Sequence, residues 1–446
     1  MLTSDVVVVG AGMAGASVAA ELSERLSVVV VEAAASGEEH STGRSAAAFL
    51  PSYGSAGVRA LTRASHPIFE AMAGRDAPLL RPRPLLWVAT DEPSEHTLTE
   101  LKRTSPHMES LSPAQARGLC PPLRSERVRS AAVDRTAADV DVAGLHQAYF
   151  RTMRRRGATV LFNAAVREIE RDGQGWNVTA GEHVVHCAKV VDAAGAWVAR
   201  VAGRAGVPAL GIRSKRRTAF VSPTGFAGDV GELPLTVDAC ERWYVKPEAG
   251  LILGSPGDAT DVSPGRPRPD ELEIARALEA IAETTTLGLR SVQRAWAGLR
   301  NSVDDHEPVM GRVVRTRGLP LPGRTGWLRH PDGPGAGPPG DGRRRRRNAV
   351  PGNGAVRGLG NRSPPRPPVG RTDDSAPVRY VQDVAARTPH PSPSVREAAG
   401  ADHAVLVGHD DVLGFVAGAE FSASSEATRY CDAKAVQRWG RALRAS

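Results

Sequence analysis

Apolar runs and helical spacings alternate along the first two thirds of the chain. Asp5–Val9 is a β-branched run without polar alternation, the pattern of a strand buried on both faces. Met13–Leu26 follows with small residues on one helical face, and Ser27–Glu32 is a second β-branched strand, so the opening predicts a βαβ unit. A second such region runs from Val140 to Val207, with a helix around Gly144–Arg156, a strand at Ala158–Phe162, and a strand and turn over Ala188–Gly195. Leu50–Asp139 and Gly211 to about Trp296 differ, mixing strands such as Leu251–Gly254 with helices such as Pro269–Thr284. The expected class is α/β. A discontinuous Rossmann-type domain (1–50, 140–210 and 296–314) would interleave with an α+β substrate domain (51–139 and 211–295).

The texture changes past Val314. Fifteen of the chain's 34 prolines fall in 320–393, together with the run Arg343–Arg347. Such composition buries too little apolar surface to offset chain entropy, so 315–393 is expected to be disordered and 315–446 is taken as a low-complexity tail, with weak helical patterning near Ala433–Ala445. The tail also carries the charge. The chain's formal charge is +8, and 315–446 holds 21 Lys and Arg against 12 Asp and Glu, leaving the first 314 residues close to neutral. An isolated charge run is poor support for nucleic-acid binding, and none is expected. Cys120, Cys187, Cys240 and Cys431 lie far apart without a CxxC pair, which points away from zinc and disulfides and toward a reducing cytoplasm. No integral membrane segment is expected, because no apolar run approaches the ~18 residues of a span.

Gly10-Ala11-Gly12-Met13-Ala14-Gly15 follows a predicted strand and opens a predicted helix, and Glu32 ends the next strand. This is the context of the dinucleotide fingerprint. Gly10 would permit the tight turn, Gly12 the approach of backbone to a diphosphate, and Gly15 close helix packing. Glu32 would accept hydrogen bonds from the adenosine ribose.

The fingerprint alone does not separate FAD from NAD. The segment His40–Ala47 (HSTGRSAA) with Tyr53-Gly54 resembles the FAD-dependent glycine/D-amino-acid oxidase superfamily, and among it the D-amino-acid dehydrogenases of the D-arginine type. Matching blocks follow in order at Arg81–Pro84, Asp192–Trp197, Lys215–Arg217, Tyr244–Pro247, Gly254–Pro256 and Trp296–Arg300. The resemblance implies FAD as cofactor. It places Arg44 and Ser45 near the diphosphate, Val166 at the adenine through its backbone, and Gly195 in the cofactor site. It also implies an amino acid as small-molecule substrate, with Arg217 and Arg300 on its carboxylate and Tyr53 and Tyr244 bounding its pocket; guanidinium forks suit that grip. The reaction implied is hydride transfer from Cα to flavin N5, giving an imino acid and then an oxo acid and ammonia, with the electron acceptor unknown. Two departures bear on substrate. Leu85-Leu86-Trp87 stands where the arginine-specific relatives carry an acid, and Ala48 where they carry a histidine. A neutral D-amino acid is therefore expected, since a guanidinium would lack a partner.

The resemblance stops after about residue 311. Relatives continue with a motif close to FFWLAGQGGYGIQTAPA, a loop over the flavin, whereas this chain reads LPLPGRTGWLRHPDGPGAG from Leu319. Trp327 must be encoded by TGG, and reading one base later permits Gly-Tyr and then the rest of the family motif. Of the 57 basic residues only five are lysine (102, 189, 215, 246 and 434), as GC-rich codons dictate, and such DNA read out of frame yields Arg, Pro, Gly and Ala. A frameshift between about Pro308 and Leu319 is the expectation, and a weakly FAD-binding remnant is the alternative to an active enzyme. Restoring the frame in the coding DNA should increase flavin retention and abolish trypsin cleavage between about Arg315 and Arg396. A 446-residue chain that already holds full flavin and resists trypsin there would show the tail to be a folded part of the protein.

Overall fold

The side chains of Val6–Val9 divide between two cores, so the strand needs no polar alternation. The computed structural model describes residues 1–314, apart from 75–76, 174, 208–210 and 305, together with 402–406. Val6 and Val8 pack toward the helices Met13–Leu22 and Val142–Arg155, and Val7 and Val9 toward Val166, Ile169, Trp176 and Val201 on the opposite face. Full burial of each valine contributes about 1.5–3 kcal/mol.

Leu2–Val9 lies at the centre of an eight-stranded sheet, parallel to Val28–Val31 on one side and to His183–Asp192 on the other. Thr159–Leu161 extends it beyond Val28–Val31, while Val166–Asp172 and Gly175–Ala180 form an antiparallel flap on His183–Asp192. The first helix ends at Leu22 rather than Leu26, because residues 23–26 form a turn. Mutual bonds between Asp5 and Ser27 hold the strand that follows: the Ser27 N–H and hydroxyl both donate to Asp5 Oδ2, at 2.7 and 2.6 Å. These donors keep the Asp5 carboxyl below its ordinary range, the Ser27 hydroxyl contributing most.

A second eight-stranded sheet collects Leu85–Ala89, Glu109–Leu111, Ser130–Asp134, Arg213–Ser222, Leu235–Asp238, Tyr244–Glu248, Leu251–Ser255 and Arg294–Ser302. The helix Glu271–Thr284 covers one face; its N-cap Asp270 accepts from the N–H groups of Leu272 and Glu273. Sequence patterning had put 296–314 with the nucleotide-binding part. In the structure Arg294–Ser302 pairs with Arg213–Ser222 over nine residues of the second sheet, and only Met310–Val314 joins the first. Alternation along Arg294–Ser302 resembles that of any half-buried strand, so its partner was not legible. Asp402–Leu406, to which patterning assigned no element, pairs antiparallel with Met310–Val314 and parallel with Val190–Asp192. The proline-rich stretch 315–393, the run Arg343–Arg347, the weak helix near 433–445 and Cys431 lie outside the described residues. Cys120 and Cys187 are buried and Cys240 is exposed, all three free. No helix among the described residues is long and apolar enough to cross a membrane.

Asp192, at the end of its strand, is 1% exposed, and its Oδ1 accepts the Ala194 N–H at 3.1 Å. Burial pushes its carboxyl up to about 8, against the pull of backbone N–H donors. The folded form therefore keeps a proton that the unfolded chain, near the ordinary 3.8, has lost, so this group's contribution to stability falls as pH rises from 3.8 to about 8. Asp192→Asn should remove that slope. In urea unfolding, its advantage over the parent chain should grow from near zero at about pH 4 to a few kcal/mol at about pH 8. Parallel pH profiles for the two proteins would show that Asp192 is ionised in the fold.

Candidate active site

Three glycines shape the turn between the first strand and helix, and they are needed for different reasons. Gly10 has φ +100°, and a Cβ there would stand 2.5 Å from the Ala193 carbonyl oxygen; one on Gly15 would stand 1.8 Å from that of Gly10. Those two are required by the protein itself. Gly12 has an ordinary backbone (φ −66°, ψ −173°), and a Cβ would meet nothing closer than Thr42 Oγ1 at 3.2 Å. Its missing side chain leaves space on the cavity side, where a ligand can approach the backbone.

That cavity, about 370 Å3, is lined by Gly10, Gly12, Glu32, Ser45, Val166 and Gly195, among others. Glu32 is buried, and its two oxygens accept the N–H groups of Ala11 (2.7 Å) and Ala34 (2.8 Å), fixing the carboxylate at the end of its strand. The N–H of Met13, in the first helical turn, meets Thr42 Oγ1 at 3.0 Å. His40 and Trp197 also line the space with rings 4.6 Å apart, and burial lowers the His40 pKa against the opposing charge of Glu32. Arg204 reaches across to donate to the Val166 carbonyl. Glycine space, a helix N-terminus, hydroxyl groups and a terminal carboxylate form a donor and acceptor set that suits a dinucleotide.

A second cavity, about 60 Å3, adjoins the first at Ser45 and is lined by Tyr53, Leu85, Trp87, Arg217, Glu241 and Tyr244, among others. The sheet register explains how its polar groups meet. Arg217 lies opposite Gly298, so Arg300, two residues further along the same strand, projects from the same face as its diagonal neighbour. Arg300 Nη1 and Nη2 lie 3.5 and 3.4 Å from the Tyr53 hydroxyl, which donates to Glu241 Oε2 at 2.8 Å. The Tyr53 ring stacks near that of Trp87, with centroids 6.4 Å apart. Burial raises the pKa of Tyr53 and of Tyr244, so both phenols keep their protons, and burial lowers that of Arg300.

Gly10, Gly12, Glu32, Ser45, Val166 and Gly195 thus meet around the first cavity with Gly15 behind them, and Tyr53, Arg217 and Tyr244 meet around the second, with Arg300 behind the Tyr53 hydroxyl rather than on the lining. Arg44 does not line the first cavity. Its Nη1 donates to the Ala297 carbonyl at 2.9 Å and its Nε to that of Glu39, tying its loop to Arg294–Ser302. Sequence patterning missed Thr42, Trp197, Arg204 and Glu241. Thr42 sits within the Ser/Thr/Gly/Arg segment and could have been named with it. Glu241 could not: it comes 188 residues after Tyr53, from a turn where it takes φ +57°.

A parallel sheet that ends in a dinucleotide-shaped cavity, with a second, phenol-lined cavity sharing Ser45 with it, is the arrangement of an FAD-dependent oxidoreductase. The chain belongs to the DAO family of FAD-dependent oxidoreductases, which it matches over residues 5–326, and FAD is its cofactor. Among solved structures it is similar to glycine oxidase from Geobacillus kaustophilus (20% identity, 72% of this chain and 88% of that one, TM-score 0.62). L-proline dehydrogenase from P. horikoshii is similar at 18% identity, covering 70% and 85%, with TM-score 0.60. L-alpha-glycerophosphate oxidase from Mycoplasma pneumoniae, with FAD bound, is similar at 18% identity, covering 68% and 84%, with TM-score 0.59. Identities this low show the shared fold.

Gly12→Val should fold normally, because the backbone there suits any residue, yet lose FAD, because its side chain fills the approach to the backbone. The checks are flavin absorbance after desalting and the apoprotein's melting curve. A Gly12→Val chain that stays yellow would remove Gly12 from the cofactor site.

Proposed function

We propose that this protein oxidises a small neutral D-amino acid to the imino acid, which water converts to an oxo acid and ammonia. The observation that carries this is a cavity lined by Arg217, Tyr53 and Tyr244, with Arg300 at the Tyr53 hydroxyl, that shares Ser45 with the dinucleotide cavity. FAD, when bound, supplies the two-electron acceptor for the hydride leaving Cα. The protein's residues do the positioning. Arg217 and Arg300 hold the substrate carboxylate through charge-assisted bonds, and the protonated phenols donate to it or close over it. No side chain has to remove a proton from Cα, since that hydrogen leaves with its electron pair.

Leu85, Trp87, Leu235 and Val237 give the cavity an apolar wall, and its small volume suits a short side chain. Glu241 adds an acid that the sequence had not suggested, but it is engaged with Tyr53 and stands in the field of Arg300, which supports a neutral side chain over a cationic one. A cytoplasmic setting belongs to the same proposal and rests on the unpaired cysteines. The family match ends at residue 326, so a weakly flavin-binding form is the second reading; visible flavin absorbance of the purified chain separates the two.

With a dye acceptor, Arg300→Ala should lower kcat/KM on neutral D-amino acids by about 2–3 kcal/mol equivalent, with flavin content unchanged. Unchanged kinetics, or a preference for D-arginine in the parent chain, would sink this assignment.

A further inference from the structure

One buried histidine has no part in the reaction proposed above. His146 lies on the helix Val142–Arg155, is 3% exposed, and lines neither cavity. Its Nε2 is 2.8 Å from the Ala11 carbonyl oxygen and its Nδ1 is 3.2 Å from Glu38 Oε1. The ring is held from the side by Phe150, one helical turn on, with centroids 4.6 Å apart. Packing around it is tight: a Cβ on Gly37 would stand 2.3 Å from the Ala11 oxygen and 2.8 Å from His146 Cε1. A carbonyl only accepts, so Nε2 must carry a hydrogen and donate it.

The consequence lies across the peptide bond. In a trans peptide the carbonyl of one residue and the N–H of the next point in opposite directions. With the Ala11 carbonyl turned onto His146, the Gly12 N–H of the same peptide unit points the opposite way, and Gly12 itself lines the first cavity. The neighbouring unit is fixed too, because the Ala11 N–H donates to Glu32 at 2.7 Å. Side chains therefore clamp the peptide units on both sides of Ala11. We propose that His146 is the positioning residue that locks the Ala11–Gly12 peptide with its N–H facing the FAD diphosphate, where a free backbone donor at a helix start binds an anion. Without the tether this peptide can rotate and present its carbonyl oxygen to the diphosphate, which repels it.

Two isosteric changes separate the tether from simple packing. Glutamine can place Nε2 where the histidine has it and keep the bond to Ala11, whereas asparagine reaches only the Nδ1 position. FAD titrations of the 446-residue chain, followed by flavin fluorescence, should put His146→Gln within about threefold of the parent Kd. His146→Asn and His146→Leu should bind roughly tenfold or more weakly, the loss expected for one hydrogen bond plus a misdirected donor. Melting curves of the apoproteins should place the Gln and Asn variants together, so that their difference in FAD affinity is not a difference in folding. Overturning results are a parent chain that takes up no FAD, Asn and Leu variants that bind as the parent does, or a Gln variant as weak as the Asn variant. The titration needs no substrate, so its outcome is independent of the proposed amino-acid reaction.

Discussion

The structure depends on one close approach: the start of the first helix lies against the ends of two parallel strands at a distance only glycine allows. Gly15 would drive a Cβ into the Gly10 carbonyl, and Gly10 would drive one into that of Ala193. With these contacts made, the helix N-terminus stands over the carboxyl ends of Leu2–Val9 and His183–Asp192, the usual place for a ligand in a parallel sheet. The cofactor cavity is thus a by-product of packing. Gly12, unlike Gly10 and Gly15, would bring a Cβ no closer than 3.2 Å to the rest of the protein, so packing alone does not demand it.

The strand that carries Arg300 belongs to the second sheet, and three bonds tie it to the Ser41–Arg44 segment that follows Val28–Val31 of the first. The Ser41 hydroxyl donates to the Leu299 carbonyl, Arg44 to that of Ala297, and the Trp296 indole to that of Arg44. The segment bordering the cofactor cavity and the strand carrying Arg300 are consequently held as one piece. The planar fork of Arg44 suits this tie, because it spans two carbonyls at once, that of Glu39 in its own loop and that of Ala297 on the strand.

What could be read in the sequence follows from the range of the interactions. The βαβ opening was legible because strand, turn and helix are neighbours in the chain, and the steric demand at Gly10 and Gly15 can be stated without knowing any partner. Arg217, Arg300, Tyr53 and Tyr244 were legible only through likeness to a family, since nothing local distinguishes a pocket arginine from a surface one. Glu241 and His146 were not legible at all. The first reaches the pocket through a turn, and the second meets Ala11 from 135 residues away. Apolar alternation places a strand in a sheet but does not say which sheet, and for that reason Arg294–Ser302 was misassigned.

Asp402–Leu406 docks on the cofactor sheet through five pairings with Met310–Val314 and three with Val190–Asp192. So short a strand can compete for its place because it is on the same chain, which makes its docking an intramolecular event. Cut the chain anywhere between the two partners and the same strand becomes a free peptide. Its occupancy would then be set by bulk concentration instead of by an intramolecular effective one, so this strand is held as much by connectivity as by its hydrogen bonds.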